Sequence, residues 1–61
     1  MPVAEGYEVF TLQSEPEVQA LSQQLWLRHV GHHWRHVDGG ITLYVLQPHH
    51  VNVALALREA I

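Results

Sequence analysis

The stretch "HHWRHVDGGITLYVL", residues 32–46, decides the fold. Its first six residues set three histidines and an arginine around Trp34 and Val37, its centre is Asp38-Gly39-Gly40, and its last six are almost wholly apolar. An Asp-Gly-Gly between two strand-like runs predicts a hairpin turn, because glycine accepts positive φ without steric cost. The predicted strands cover 32–37 and 41–46. The second carries Ile41, Leu43 and Val45 on one face and Thr42, Tyr44 and Leu46 on the other. Such continuous apolarity suits a central strand. Trp34, a large apolar group on the flanking strand, is expected in the core.

Upstream, "SEPEVQALSQQLWLRHVG" reads as a helix over about 15–30. Ser14 and Glu17 have capping-box spacing, in which each side chain satisfies a free N–H of the first turn. Pro16 stands where a missing N–H costs little, and Glu15 and Glu17 suit the positive helix end. Gly31 is the expected stop. Val18, Leu21, Leu25 and His29 recur at helical spacing on one side. Leu27 points away from that side, and Trp26 and Val30 lie on its flank. Two readings of Trp26 stand: an exposed contact residue, or a ring folded over the edge of the core.

Before this helix, "YEVFTLQ", residues 7–13, is a strand by its aromatic and β-branched content. Its alternation is imperfect, so its buried face stays open. After the hairpin, Gln47 and Pro48 break the chain, and a second helix runs from about residue 49 to the end. Its expected buried stripe is Val53, Leu57 and Ile61 with Ala54 and Ala60.

The order is therefore β-α-β-β-α. A right-handed crossover makes the first two strands parallel, and the hairpin makes the third antiparallel to the second. The expected architecture is α+β, a half ferredoxin-like layer: a three-stranded sheet of order 1-3-2 with both helices on one face. The other face is left to water or a partner, with Tyr44 or Tyr7 placed on it.

Composition narrows the function. Sixty-one residues make one small domain, which buries only about 60% of the surface its unfolded chain exposes. There is no cysteine and no lysine, the cations are Arg28, Arg35 and Arg58, and the net charge is −3 with neutral histidines. Nucleic-acid binding normally needs a basic face, so no nucleic-acid partner is expected. No apolar run approaches the ~20 residues of a bilayer span. The start "MPVAEGYEV" lacks a secretory signal's charge and apolar core, so a cytoplasmic domain is expected. The ending "ALALREAI" carries no helix stop, which reads as a domain excised from a longer chain.

The six histidines invite a metal reading. Zinc requires three or four converging ligands. In an extended segment His32, Trp34 and His36 share one face and His33 and Arg35 the other, while His29 belongs to the helix. These directions diverge, so neither a metal site nor a cofactor is expected. The histidines retain a pH-sensing reading, because imidazole titrates near neutrality. Nucleophile and phosphate-loop motifs are absent from the sequence. Ser14 is accounted for by its cap, Ser22 by a helix flank and Asp38 by the turn, so no catalytic residue is assigned. The candidate contact surface is Trp26, Leu27, Val30 and Tyr44, since exposed apolar groups mark partner surfaces.

The succession of a short opening strand, "SEPEVQALSQQLWLRHVG", the pair "HHWRHV" and "ITLYVL", and "HHVNVALALREAI" resembles the N-terminal cytosolic domain of bacterial rhomboid intramembrane serine proteases of the GlpG type. The likeness covers about residues 9–61. It includes "EVQAL" followed by Gly31, and an aromatic between aliphatics at Leu43-Tyr44-Val45. The chain departs from the family in its histidine content and in Gln47-Pro48-His49 where a helix cap is expected. The resemblance implies a non-catalytic accessory or regulatory domain on the cytoplasmic side of the bacterial inner membrane. The whole chain would be a serine endopeptidase cleaving transmembrane substrates, but its G-x-S-G and histidine motifs have no counterpart in these residues. The implied partners are the membrane-embedded remainder of its own chain, the membrane surface, substrate tails or another copy. The alternatives are a stand-alone protein-binding or regulatory module and a histidine metal-binding protein. Metal titration followed by histidine NMR separates the last.

Overall fold

The computed structural model describes residues 6–60. The elements follow the chain as β1 (Tyr7–Leu12), α1 (Glu15–Leu27), β2 (His32–Val37), β3 (Gly40–Val45) and α2 (His50–Ala60). The three strands form one sheet in the order β1-β3-β2, with both outer strands antiparallel to β3. β1 and β2 thus run the same way. This is the expected β-α-β-β-α arrangement, an α+β fold.

The apolar run of β3 earns its central place. Ile41, Leu43 and Val45 are buried and face the helices together with Phe10 and Leu12 of β1. Val18, Leu21 and Leu25 of α1 and Ala54 of α2 complete the core. Leu25, Leu43, Val45 and Ala54 are fully buried. Each such Leu or Val contributes about 1.5–3 kcal/mol of burial, a large share of what a domain this small gains. The guanidinium of Arg58 lies over the Phe10 ring, 4.8 Å from its centroid, a cation–π contact at the edge of the core.

The uneven alternation of β1 has a local cause. Glu8 stands opposite Tyr44 and Phe10 opposite Leu43, so Val9 is an extra residue in the ladder. This bulge shifts the side-chain phase and turns Phe10 and Leu12 inward. In the hairpin, Val37 pairs with Gly40 across Asp38 and Gly39. Only Gly39 takes positive φ, at 87°. At Gly40 a Cβ would lie 2.5 Å from the Leu12 carbonyl oxygen, so glycine there permits close approach of β1.

Three expectations about the helices are corrected. Ser14 occupies the N-cap with extended backbone, φ −132° and ψ 127°, but makes no side-chain cap hydrogen bond. Its contribution is its carbonyl, which accepts from the Val18 N–H at 3.1 Å. Secondly, α1 ends at Leu27 rather than Val30 and is not stopped by Gly31. The left-handed residue is His29, φ 58°. The Val30 N–H then bonds the Leu25 carbonyl and the His29 N–H bonds the Trp26 carbonyl, both at 3.0 Å. These two bonds make a Schellman closure, whose apolar contact joins the residues three before and two after the cap. Here those are the buried Leu25 and Val30. His29 therefore leaves the core side of the helix and is exposed. Gly31 serves packing instead: a Cβ there would come within 3.0 Å of Leu46 Cδ1.

The third correction concerns α2. Ala54 is buried and Val51, Val53 and Leu57 pack partly against the core, but Ala60 is exposed. At about 100° per residue, Ala60 falls roughly 120° around the helix from Ala54. Ile61 lies outside the described residues.

Candidate functional site

Strand alternation decides where the histidines go. His32, Trp34 and His36 stand opposite Val45, Leu43 and Ile41, on the face that carries the helices. His33 and Arg35 stand opposite Tyr44 and Thr42, on the far face. The two sets lead to different surroundings.

On the helix side, α1 presents Glu15, Gln19, Ser22 and Trp26 at i, i+4, i+7 and i+11, one stripe along the helix. This stripe runs beside β2 in the opposite sense. At one end His36 Nε2 lies 3.6 Å from Glu15 Oε1, an exposed pair. At the other, Ser22 Oγ lies 2.9 Å from His32 Nε2. The second ring nitrogen, Nδ1, lies 2.9 Å from the Val30 carbonyl oxygen. A carbonyl only accepts, so Nδ1 carries the proton, and in the neutral ring Nε2 accepts from the Ser22 hydroxyl. Between the two ends, Trp34 packs partly buried against the core and meets His32 edge-on at 6.2 Å. Its buried Nε1 has no hydrogen-bond partner.

The far face is a polar ladder. His33 stacks on Tyr44 with centroids 5.1 Å apart and planes 12° from parallel. The Tyr44 hydroxyl donates to Glu8 Oε1 at 3.5 Å. In the next row Thr11 and Thr42 share a hydroxyl hydrogen bond of 2.8 Å. Glu8, Tyr44 and His33 thus make one row across all three strands.

The four residues expected as a contact surface do not form one. Trp26 is 76% exposed and Leu27 61%. The reading in which Trp26 folds over the core edge is therefore set aside, and Leu27 is exposed as expected. Val30 is 4% exposed, because the Schellman closure carries it back onto Leu25. Tyr44 is half-buried on the opposite side of the sheet from α1. The exposed apolar surface near the end of α1 is Trp26 and Leu27, with a groove lined by Trp26, His29, Val30 and Gly31 beside it. A second groove is lined by Gln19, Ser22, Gln23, Trp26 and His32.

Among the described residues no group of three or more histidines and carboxylates is placed to hold a metal. His49 and His50 lie with ring centroids 4.2 Å apart at the start of α2. No helix among the described residues is long and apolar enough to cross a membrane. The Ser22–His32 pair is the feature that sequence reasoning missed. The signal was present in two periodicities, the α1 stripe and the β2 alternation, but which helix face meets which strand edge is a tertiary fact. Compared with protein-family models, curated proteins and solved structures, the chain matches none.

Proposed function

We propose that this chain is a non-catalytic accessory domain of a rhomboid-type intramembrane serine protease, lying on the cytoplasmic side of a bacterial inner membrane. The observation that carries the reading is the element order with its sheet order β1-β3-β2, the arrangement that the resemblance implies. The surface is consistent with a domain that works by contact. Trp26 and Leu27, neighbours in the last turn of α1, expose a tryptophan and a leucine to solvent. Apolar groups of that size at a surface favour a partner, and tryptophan is over-represented among residues that dominate binding. The favoured partner is the membrane-embedded remainder of the same chain.

A photo-crosslinking amino acid at position 26 or 27 of the full-length protein, expressed in bacterial membranes, tests this. Crosslinks within the same polypeptide to its membrane portion are expected. Crosslinks only to separate soluble proteins would favour a stand-alone binding module, the second reading that the exposed Trp26–Leu27 pair supports.

A further inference from the structure

We infer that Ser22 is an acyl-acceptor site, activated by His32, that takes an acyl group from activated carboxylic esters. The inference is independent of the rhomboid reading. A serine hydroxyl becomes nucleophilic when a base lies within hydrogen-bond reach and a third group orients that base. Ser22 Oγ and His32 Nε2 are 2.9 Å apart, and the Val30 carbonyl holds Nδ1 at 2.9 Å. That second bond fixes the tautomer in which Nε2 is free to take a proton. It also stabilises the imidazolium that forms, since the protonated ring keeps its Nδ1 donor on the carbonyl.

The surroundings suit a small aryl ester. Ser22 and His32 open onto a groove that Gln19, Gln23 and Trp26 also line. The indole of Trp26, 76% exposed, offers a flat apolar surface for the aryl group. Gln19 and Gln23, which line the same groove, carry amide N–H groups of the kind that stabilise an oxyanion.

In the step, Ser22 Oγ attacks the ester carbonyl carbon while its proton passes to His32 Nε2. The new Oγ–C bond forms, the bond from the carbonyl carbon to the aryloxy oxygen breaks, and the proton on Nε2 goes to the departing aryloxide. The products are acyl-Ser22 and a phenol, with His32 again neutral. No oxidant, metal or second reactant is required.

The chain contains its own control. Ser14 is its only other serine, is likewise half-buried, and stands at a helix start without a side-chain cap bond. The experiment incubates the folded 61-residue protein with p-nitrophenyl acetate and follows acetylation of each serine by peptide mass mapping. General-base assistance is worth about 100-fold or more, so Ser22 is expected to acetylate about 100-fold faster than Ser14. His32→Gln is expected to remove the difference while the circular dichroism of the fold persists. Urea-unfolded wild type is expected to acetylate both serines alike, an arm that needs no variant. A Ser22 rate equal to that of Ser14 in the folded protein overturns the inference. So does a Ser22 preference that survives in urea or in folded His32→Gln.

Discussion

Ser22 Oγ on α1 and His32 Nε2 on β2, ten residues apart in the chain, meet at 2.9 Å and join the crossover helix to the sheet-edge strand that follows it. Because His32 also holds the Val30 carbonyl, one imidazole braces the whole turn between the helix end and β2. Ser22→Ala removes the hydroxyl and leaves Nε2 without this partner. The expected cost is about 1 kcal/mol, the net worth of a part-buried hydrogen bond. Urea denaturation measures it as a lower midpoint with unchanged slope.

His29 occupies the left-handed region at φ 58°, which disfavours any residue with a Cβ by about 1–2 kcal/mol. Histidine tolerates it better than most, but glycine removes the strain. His29→Gly is therefore expected to stabilise the domain by about 0.5–1 kcal/mol, less than the full strain because glycine loses more freedom on folding. In thermal unfolding that is a midpoint raised by about 2–8 °C. Gly31→Ala is the companion test. Its new methyl meets the tip of the flexible Leu46 side chain, so an effect within about 0.5 kcal/mol is expected.

Trp34 places its Nε1 in the interior without a hydrogen-bond partner. An unsatisfied buried donor costs about 1–3 kcal/mol. Trp34→Phe keeps an aromatic group against the core and deletes the donor, so it is expected to cost less than about 1 kcal/mol. Leu25→Ala, by contrast, opens a cavity at a fully buried position. It is expected to cost about 2–5 kcal/mol, enough to leave this domain largely unfolded by circular dichroism.

Trp26 and Leu27 are exposed on a formed helix, so Trp26→Ala and Leu27→Ser are expected to change stability by no more than about 0.5 kcal/mol. If they hold a partner, the same double variant weakens crosslinking from a photo-crosslinking amino acid placed at the exposed Gln23 of the full-length protein, while the isolated domain melts unchanged. A large loss of stability would instead place both side chains in the core.

The architecture was legible because local signals agreed with one another. "ITLYVL" is apolar enough to be a middle strand, "DGG" forces a turn, and Val18, Leu21 and Leu25 mark the buried stripe of α1. The errors fell where side chains compete for the same backbone groups. Ser14 and Glu17 had capping-box spacing, yet Ser14 caps with its carbonyl alone. Gly31 looked like the helix stop because glycine usually is, yet the chain placed a histidine in the left-handed position two residues earlier. That shift also moved Val30 from the expected contact surface into the core. The candidate site was legible in part. Alternation correctly sent His33 away from His32 and His36, but the pairing of His32 with Ser22 depends on helix placement, which no local pattern encodes.

Whether this domain is the accessory part of a rhomboid-type protease can be read in the natural coding sequence past codon 61. The expected result is an open frame encoding six apolar spans, with a G-x-S-G motif in one and a histidine in another. A stop codon immediately after codon 61, or a continuation without apolar spans, would contradict it.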